Sequence, residues 1–140
     1  MVVKFGVFVS LFQIVTCAVH AHTGLWKDYD INDPNLTMDM VARQCQRSLM
    51  HAPDPGLVEV WCDKSYKMGN WESLHIIGLH TGDGSRYVAE VEKHVKAGDA
   101  QAIDSLAWLY SRGRFVDKDN VRGIELYNRY LNHSESTSLS

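Results

Sequence analysis

The residues able to do chemistry are few, and they do not fall into a reactive pattern. Ser73 and His75 come closest to a nucleophile and base, but adjacency makes no pair, and no Gly-x-Ser-x-Gly elbow surrounds them. His75 and His80 stand five residues apart, which separates them around a helix. His80 with Asp83 makes a poor metal site, short of the ligands a bound ion needs. Glu90, Glu92 and Asp104 read as solvated faces, so paired-carboxylate catalysis stays open only through contacts made in space. There is no Gly-rich phosphate loop, no Cys-x-x-Cys and no His-Glu-x-x-His. The residue types point to no catalytic residue, no metal and no cofactor.

Aromatic and basic side chains point elsewhere. The four tryptophans are Trp26, Trp61, Trp71 and Trp108. Trp joins a large apolar body to a polar tip, which suits interfaces as well as cores. Trp108 lies off the face marked by Leu106 and Tyr110, which leaves an exposed position open beside the core or inter-repeat packing that is the usual place for a Trp. Arg112, Arg114 and Lys118 surround the following loop, as a solvated rim or as a match for an acidic patch on a partner. Trp71, His75, Trp108, Arg112 and Arg114 are therefore the candidates for contact with another protein. Lys and Arg number 14 against 17 Asp and Glu, a net charge of -3, which offers no footprint for nucleic acid.

Those groups need an address and a scaffold. Met1 to Ala21 read as a secretory signal, with Lys4 as its one charge, an apolar run from Phe5 to Val19, and Val19-His20-Ala21 at the cleavage site. The run is too short for a stable membrane span. The alternatives are a buried N-terminal helix, or a lipoprotein signal ending at Cys17, where Thr16 replaces the usual small residue. Removing the signal takes Cys17 with it. Cys45 and Cys62 remain, and an oxidising compartment favours pairing them.

With 140 residues and 45% hydrophobic side chains, the chain has room for one globular domain. Residues 22–36 carry turn chemistry and read as an irregular lead-in, tied down by Trp26, Tyr29 and Ile31. Every later signal over residues 37–133 is helical. Thr37 caps a first helix with Met38, Val41, Ala42, Cys45 and Leu49 on its inner face. Asp54 caps a second, with Pro55 at its first position and Leu57, Val58, Trp61, Cys62 and Tyr66 inward. A third runs from about Trp71 to His80 around Leu74, Ile77 and Gly78. Ser85 caps a fourth, with Val88, Val91 and Val95. Asp99 caps a fifth, with Ala102, Ile103, Leu106, Leu109 and Tyr110. A sixth follows from about Asp119, with Val121, Ile124, Leu126, Tyr127 and Leu131 inward. The Ser-rich segment 134–140 reads as a disordered tail.

The expected fold is all-α: about three antiparallel helix hairpins in a short α-solenoid. The cysteines test it. Cys45 and Cys62 lie at equal distances from the Pro53-Asp54 turn, so a hairpin would bring them level and within reach of a disulfide. Two buried thiols or a metal pair are the alternatives, although no second Cys pair or close His supports zinc.

The helix pairs also repeat. Lys67-Met68-Gly69-Asn70 resembles Lys96-Ala97-Gly98-Asp99, an offset of 29 residues. The same offset carries Ile77-Gly78 onto Leu106-Ala107 and Gly84 onto Gly113. Gly78, Ala89, Ala107 and Gly123 are small enough to let a neighbouring helix approach. Ala100 to Leu131 resembles a Sel-one-like repeat, a relative of the tetratricopeptide repeat. Leu106-Ala107, Tyr110, Gly113, Val116, Asp119, Arg122-Gly123 and Leu126-Tyr127 fall at the positions of that pattern. Phe115 stands where the family has Gly, and Tyr130 replaces a small residue. The resemblance is fainter over Asn70 to Asp99 and faintest over Thr37 to Gly69. It implies a protein-binding scaffold. Small exported members of the family neutralise toxic effectors in the bacterial periplasm; others support flagellar motors or envelope assembly, and some cysteine-rich members are claimed as hydrolases.

Overall fold

The computed structural model describes residues 24–138. The expected signal at Met1 to Ala21, the Cys17 alternative and the end of the tail lie outside them. The described chain is helical, with no strand. It holds α1 (Met38–His51), α2 (Leu57–Lys67), α3 (Ser73–Thr81), α4 (Ser85–Lys96), α5 (Ala100–Arg112) and α6 (Asn120–Ser138). Each helix packs on the next in the chain, and α1 also packs on α3. No described helix is long and apolar enough to cross a membrane.

Residues 24–36 form neither helix nor strand, yet they are tied to the body. The Tyr29 ring meets Trp61 edge-on. Lys64 Nζ donates to the Ile31 carbonyl at 2.8 Å, and Gln44 Nε2 to the Lys27 carbonyl at 2.6 Å. That second bond rotates α1 away from its expected face. Gln44 and Ser48 are buried beside Val41 and Cys45, while Met38 and Leu49 are exposed. The bonded amide nitrogen holds irregular backbone against the helix, while Gln44 Oε1 is buried without a hydrogen-bond partner.

Cys45 and Cys62 form the disulfide, joining α1 to α2 with 4.7 Å between Cα atoms. Closing a loop of this size stabilises by about 3 kcal/mol, mostly by restricting the unfolded chain.

The caps differ in detail from the sequence reading. Thr37 and Asp99 accept N–H groups of the first turn as expected. Asp54 Oδ1 accepts from the Gly56 N–H, capping a tight turn before α2, and Gly56 precedes the helix proper. Ser85 is the first residue of α4 and Gly84 its cap, with Asp83 Oδ1 accepting the Ser85 N–H. In both places an Asp side chain accepts the N–H two residues on and so captures the backbone ahead of the helix. α6 continues to Ser138, into the segment that composition assigned to a loose tail.

The 29-residue offset is a real structural correspondence at one joint. Gly69 and Gly98 both have positive φ, +103° and +84°. The Asn70 N–H reaches back to the Ser65 carbonyl, and the Asp99 N–H to the His94 carbonyl, each at 3.1 Å. These are equivalent bonds of one helix-closing motif. Gln101 Nε2 then donates to Glu72 Oε1 at 2.6 Å, joining two positions 29 residues apart. The offset fails for Gly84. It precedes α4 at φ -92°, whereas Gly113 closes α5 at φ +63°. The structural counterpart of Gly113 is Gly82, which closes α3 at φ +80°.

The sixth helix departs most from expectation. Val121, Ile124 and Tyr127, read as core-facing, are exposed. Leu126 packs on the core as expected, and Tyr130 joins it there. Gly123 sets the rotation: a Cβ there would overlap Ser111 Oγ and lie 3.2 Å from the Ala107 carbonyl oxygen. Fixing Gly123 against α5 turns Leu126 and Tyr130, three and seven residues on, inward with it. The alternative stripe then faces out. Ala107 is buried at this contact, but Ala89 is exposed on α4.

Candidate functional site

Two features concentrate the sequence-predicted residues. One is a chain of rings running through the α3–α5 region. His94 stacks on Trp71 at 5.0 Å between centroids, Trp71 on Tyr87 at 6.0 Å, and His75 tilts against Tyr87 at 5.0 Å. His75 then meets the edges of Trp108 at 6.0 Å and Phe115 at 5.8 Å. Trp71 and His75 are half-buried members of this chain, and Trp108 is its exposed end, 44% accessible.

Phe115 was recognised in the sequence only as a departure from a glycine position. Its φ is +62°, the one non-glycine residue with positive φ among those described. That left-handed backbone is what a glycine would adopt freely. Its ring fills the space above Gly84, and a Cβ on Gly78 would come within 3.0 Å of Phe115 Cζ. Gly78 and Gly84 therefore act as the socket for a side chain from the α5–α6 loop. Arg114, next to it, lies 5.6 Å over the same ring.

His75 lies among the Tyr87, Trp108 and Phe115 rings. Its Nε2 is buried without a hydrogen-bond partner. Burial lowers its pKa below the ordinary 6.5, and the nearby Arg114 charge lowers it further. Both effects favour the neutral ring. Ser73 makes no pair with it, because Ser73 Oγ donates to Ser65 Oγ at 2.6 Å. His80 and Asp83 gather no further ligand, and no three His, Cys, Asp or Glu side chains converge among the described residues. The Asp83 carboxylate accepts the Ser85 N–H, which lowers its pKa.

The second feature is a surface groove on α5 and α6. A hollow of about 340 Å³ lies between Trp108, Arg112, Ile124 and Tyr127, floored by Ala107 and Gly123. It continues past Trp108 into a second hollow of about 320 Å³ bounded by Arg112, Gly113 and Arg114. Ile124, on its wall, is 61% exposed. The groove exists because Gly123 draws the two helices together while the side chains on either side stand out. Of the five sequence candidates, Trp108, Arg112 and Arg114 meet here. Trp71 and His75 lie behind, joined to Trp108 through the ring chain.

Among the repeat residues, Leu106 and Ala107 are buried, Tyr110 packs on the core under the Arg122 guanidinium, and the Asp119 side chain accepts the Arg122 N–H. Tyr127 was missed as a surface residue because its spacing fits either stripe of α6. Comparison of the chain with family models, with curated proteins and with solved structures finds no match.

Proposed function

We propose that this chain is an exported helical scaffold of the Sel-one-like repeat type that works by binding another protein, as an inhibitor of a toxic effector in the periplasm. The observation that carries the reading is the groove beside Trp108, where apolar side chains stay in water on a small, stapled domain. Contiguous exposed apolar surface of this kind marks interaction sites. The repeat assignment draws support from the matching Gly69 and Gly98 joints and from the Glu72–Gln101 bond between successive units. The outward stripe of α6 is the face that a further hairpin would cover in a longer stack. The disulfide is compatible with an oxidising compartment outside the cytoplasm.

The test is competition between sister cells. A strain lacking this chain should lose viability beside an unmodified strain and regain it when the chain is restored. Full survival of the deletion strain would sink the inhibitor reading. A motility or envelope defect with no attacker present would mark an assembly scaffold instead.

A further inference from the structure

We infer that the α5–α6 groove takes an acidic protein segment carrying one aromatic or long aliphatic anchor; this rests on the protein-binding reading above. The anchor seats between Trp108, Ile124 and Tyr127, and its neighbouring carboxylates meet Arg112 and Arg114.

Charge argues for this occupant. The described ion pairs involve Arg43, Arg86, Lys93 and His94, and neither Arg112 nor Arg114 forms one. Two unneutralised guanidiniums therefore flank one indole on a chain of net charge -3. Arg114 is held at the groove by the Phe115 ring rather than by a carboxylate. The carboxylate facing the groove, Asp104, lies at its other end. It stands eight residues from Arg112, about 12 Å along the helix. The groove is thus polarised, basic past Trp108 and acidic at Asp104, which also fixes the direction of a bound segment. Behind Trp108 the ring facing it is His75, whose neutral form is favoured, so no second cation lies beneath the indole. Arginine forks bind carboxylates in pairs of hydrogen bonds, and an aromatic pocket beside them supplies the apolar anchor point. A polyanion such as nucleic acid would need a longer basic track than two arginines.

The test is selection of a random-peptide phage library on the full disulfide-bonded chain. The expected winners carry an aromatic or long aliphatic residue beside Asp or Glu. Their affinity should fall about tenfold or more on Arg112→Glu with Arg114→Glu, through loss of charge-assisted bonds. It should also fall on Trp108→Ala and, should that variant fold poorly, on Ile124→Asp, while Asp104→Asn leaves it equal or higher. Winners that need Trp108 but are basic or wholly apolar would overturn the acidic partner and leave the binding surface standing. No winners, or winners indifferent to Trp108→Ala and Ile124→Asp alike, would remove both. A dimer of the chain in sedimentation, dissolved by Ile124→Asp, would assign the face to a second copy and overturn the proposal.

Discussion

The Phe115 ring occupies the volume that a side chain on Gly84 would need, so the loop before α6 and the cap of α4 are fitted to each other. Gly84→Ala must displace that ring and should cost about 1–3 kcal/mol in urea unfolding. Phe115→Gly removes both the ring and the left-handed strain, so it should cost less than Phe115→Ala by about 1 kcal/mol. Made together with Phe115→Gly, Gly84→Ala should become nearly neutral. Additive costs in that double-mutant cycle would show that the two positions do not share one space.

Cys45→Ser with Cys62→Ser should lower stability by about 3 kcal/mol, read by urea unfolding followed by circular dichroism. Reductant should destabilise the parent by a similar amount and leave the double variant unchanged. A parent indifferent to reductant would contradict the α1–α2 bridge.

Stability should fall as the solution is acidified below neutrality. His75 has its pKa lowered in the folded chain, first by burial and then by Arg114. Below about pH 6.5 the unfolded chain takes up a proton that the folded one refuses, which favours unfolding. The loss should continue as pH drops toward the folded value and then level off for this group. His75→Phe should flatten that part of the profile. An identical profile for the variant would place the sensitivity on another group.

Gly123→Leu should separate α6 from α5, because the new side chain meets Ser111 and the Ala107 carbonyl. The expected cost is about 1–3 kcal/mol, with faster amide exchange concentrated in α6. Trp108→Ala should change stability by less than about 1 kcal/mol while weakening partner binding, since much of the indole is already in water.

Helix number, most core faces and the bridge between Cys45 and Cys62 were legible because local rules decide them. Apolar spacing places Leu74 and Ile77 or Ile103 and Leu106 inside whatever lies opposite, and equal distance from one turn brings the cysteines level. What was not legible depended on a second element. Gln44 is buried because the lead-in backbone needs its amide, and no periodicity announces that. The rotation of α6 depends on how closely Gly123 meets α5, and its sequence carries two apolar stripes that serve equally well. Phe115 looked like an exception to a pattern. In space it keeps the backbone of the glycine it replaces and adds a ring that three distant residues, Gly78, Gly84 and His75, were shaped to receive.

The ends of the molecule are unequal. α1 and α2 are cross-linked and hold Val41, Val58 and Trp61 out of water. Among its described side chains α6 buries none fully; it meets α5 at Gly123, lays Leu126 and Tyr130 on the core and reaches the Val95 carbonyl of α4 through Arg129. Local opening costs least where least surface is exposed by it, so the chain should fray from α6 toward the staple. A ligand spanning α5 and α6 would clamp the helix that has no fully buried side chain, and its affinity would be coupled to the heat resistance of that end. Recognition and ordering of the last helix would then be one event, and occupancy could be followed as a rise in melting temperature.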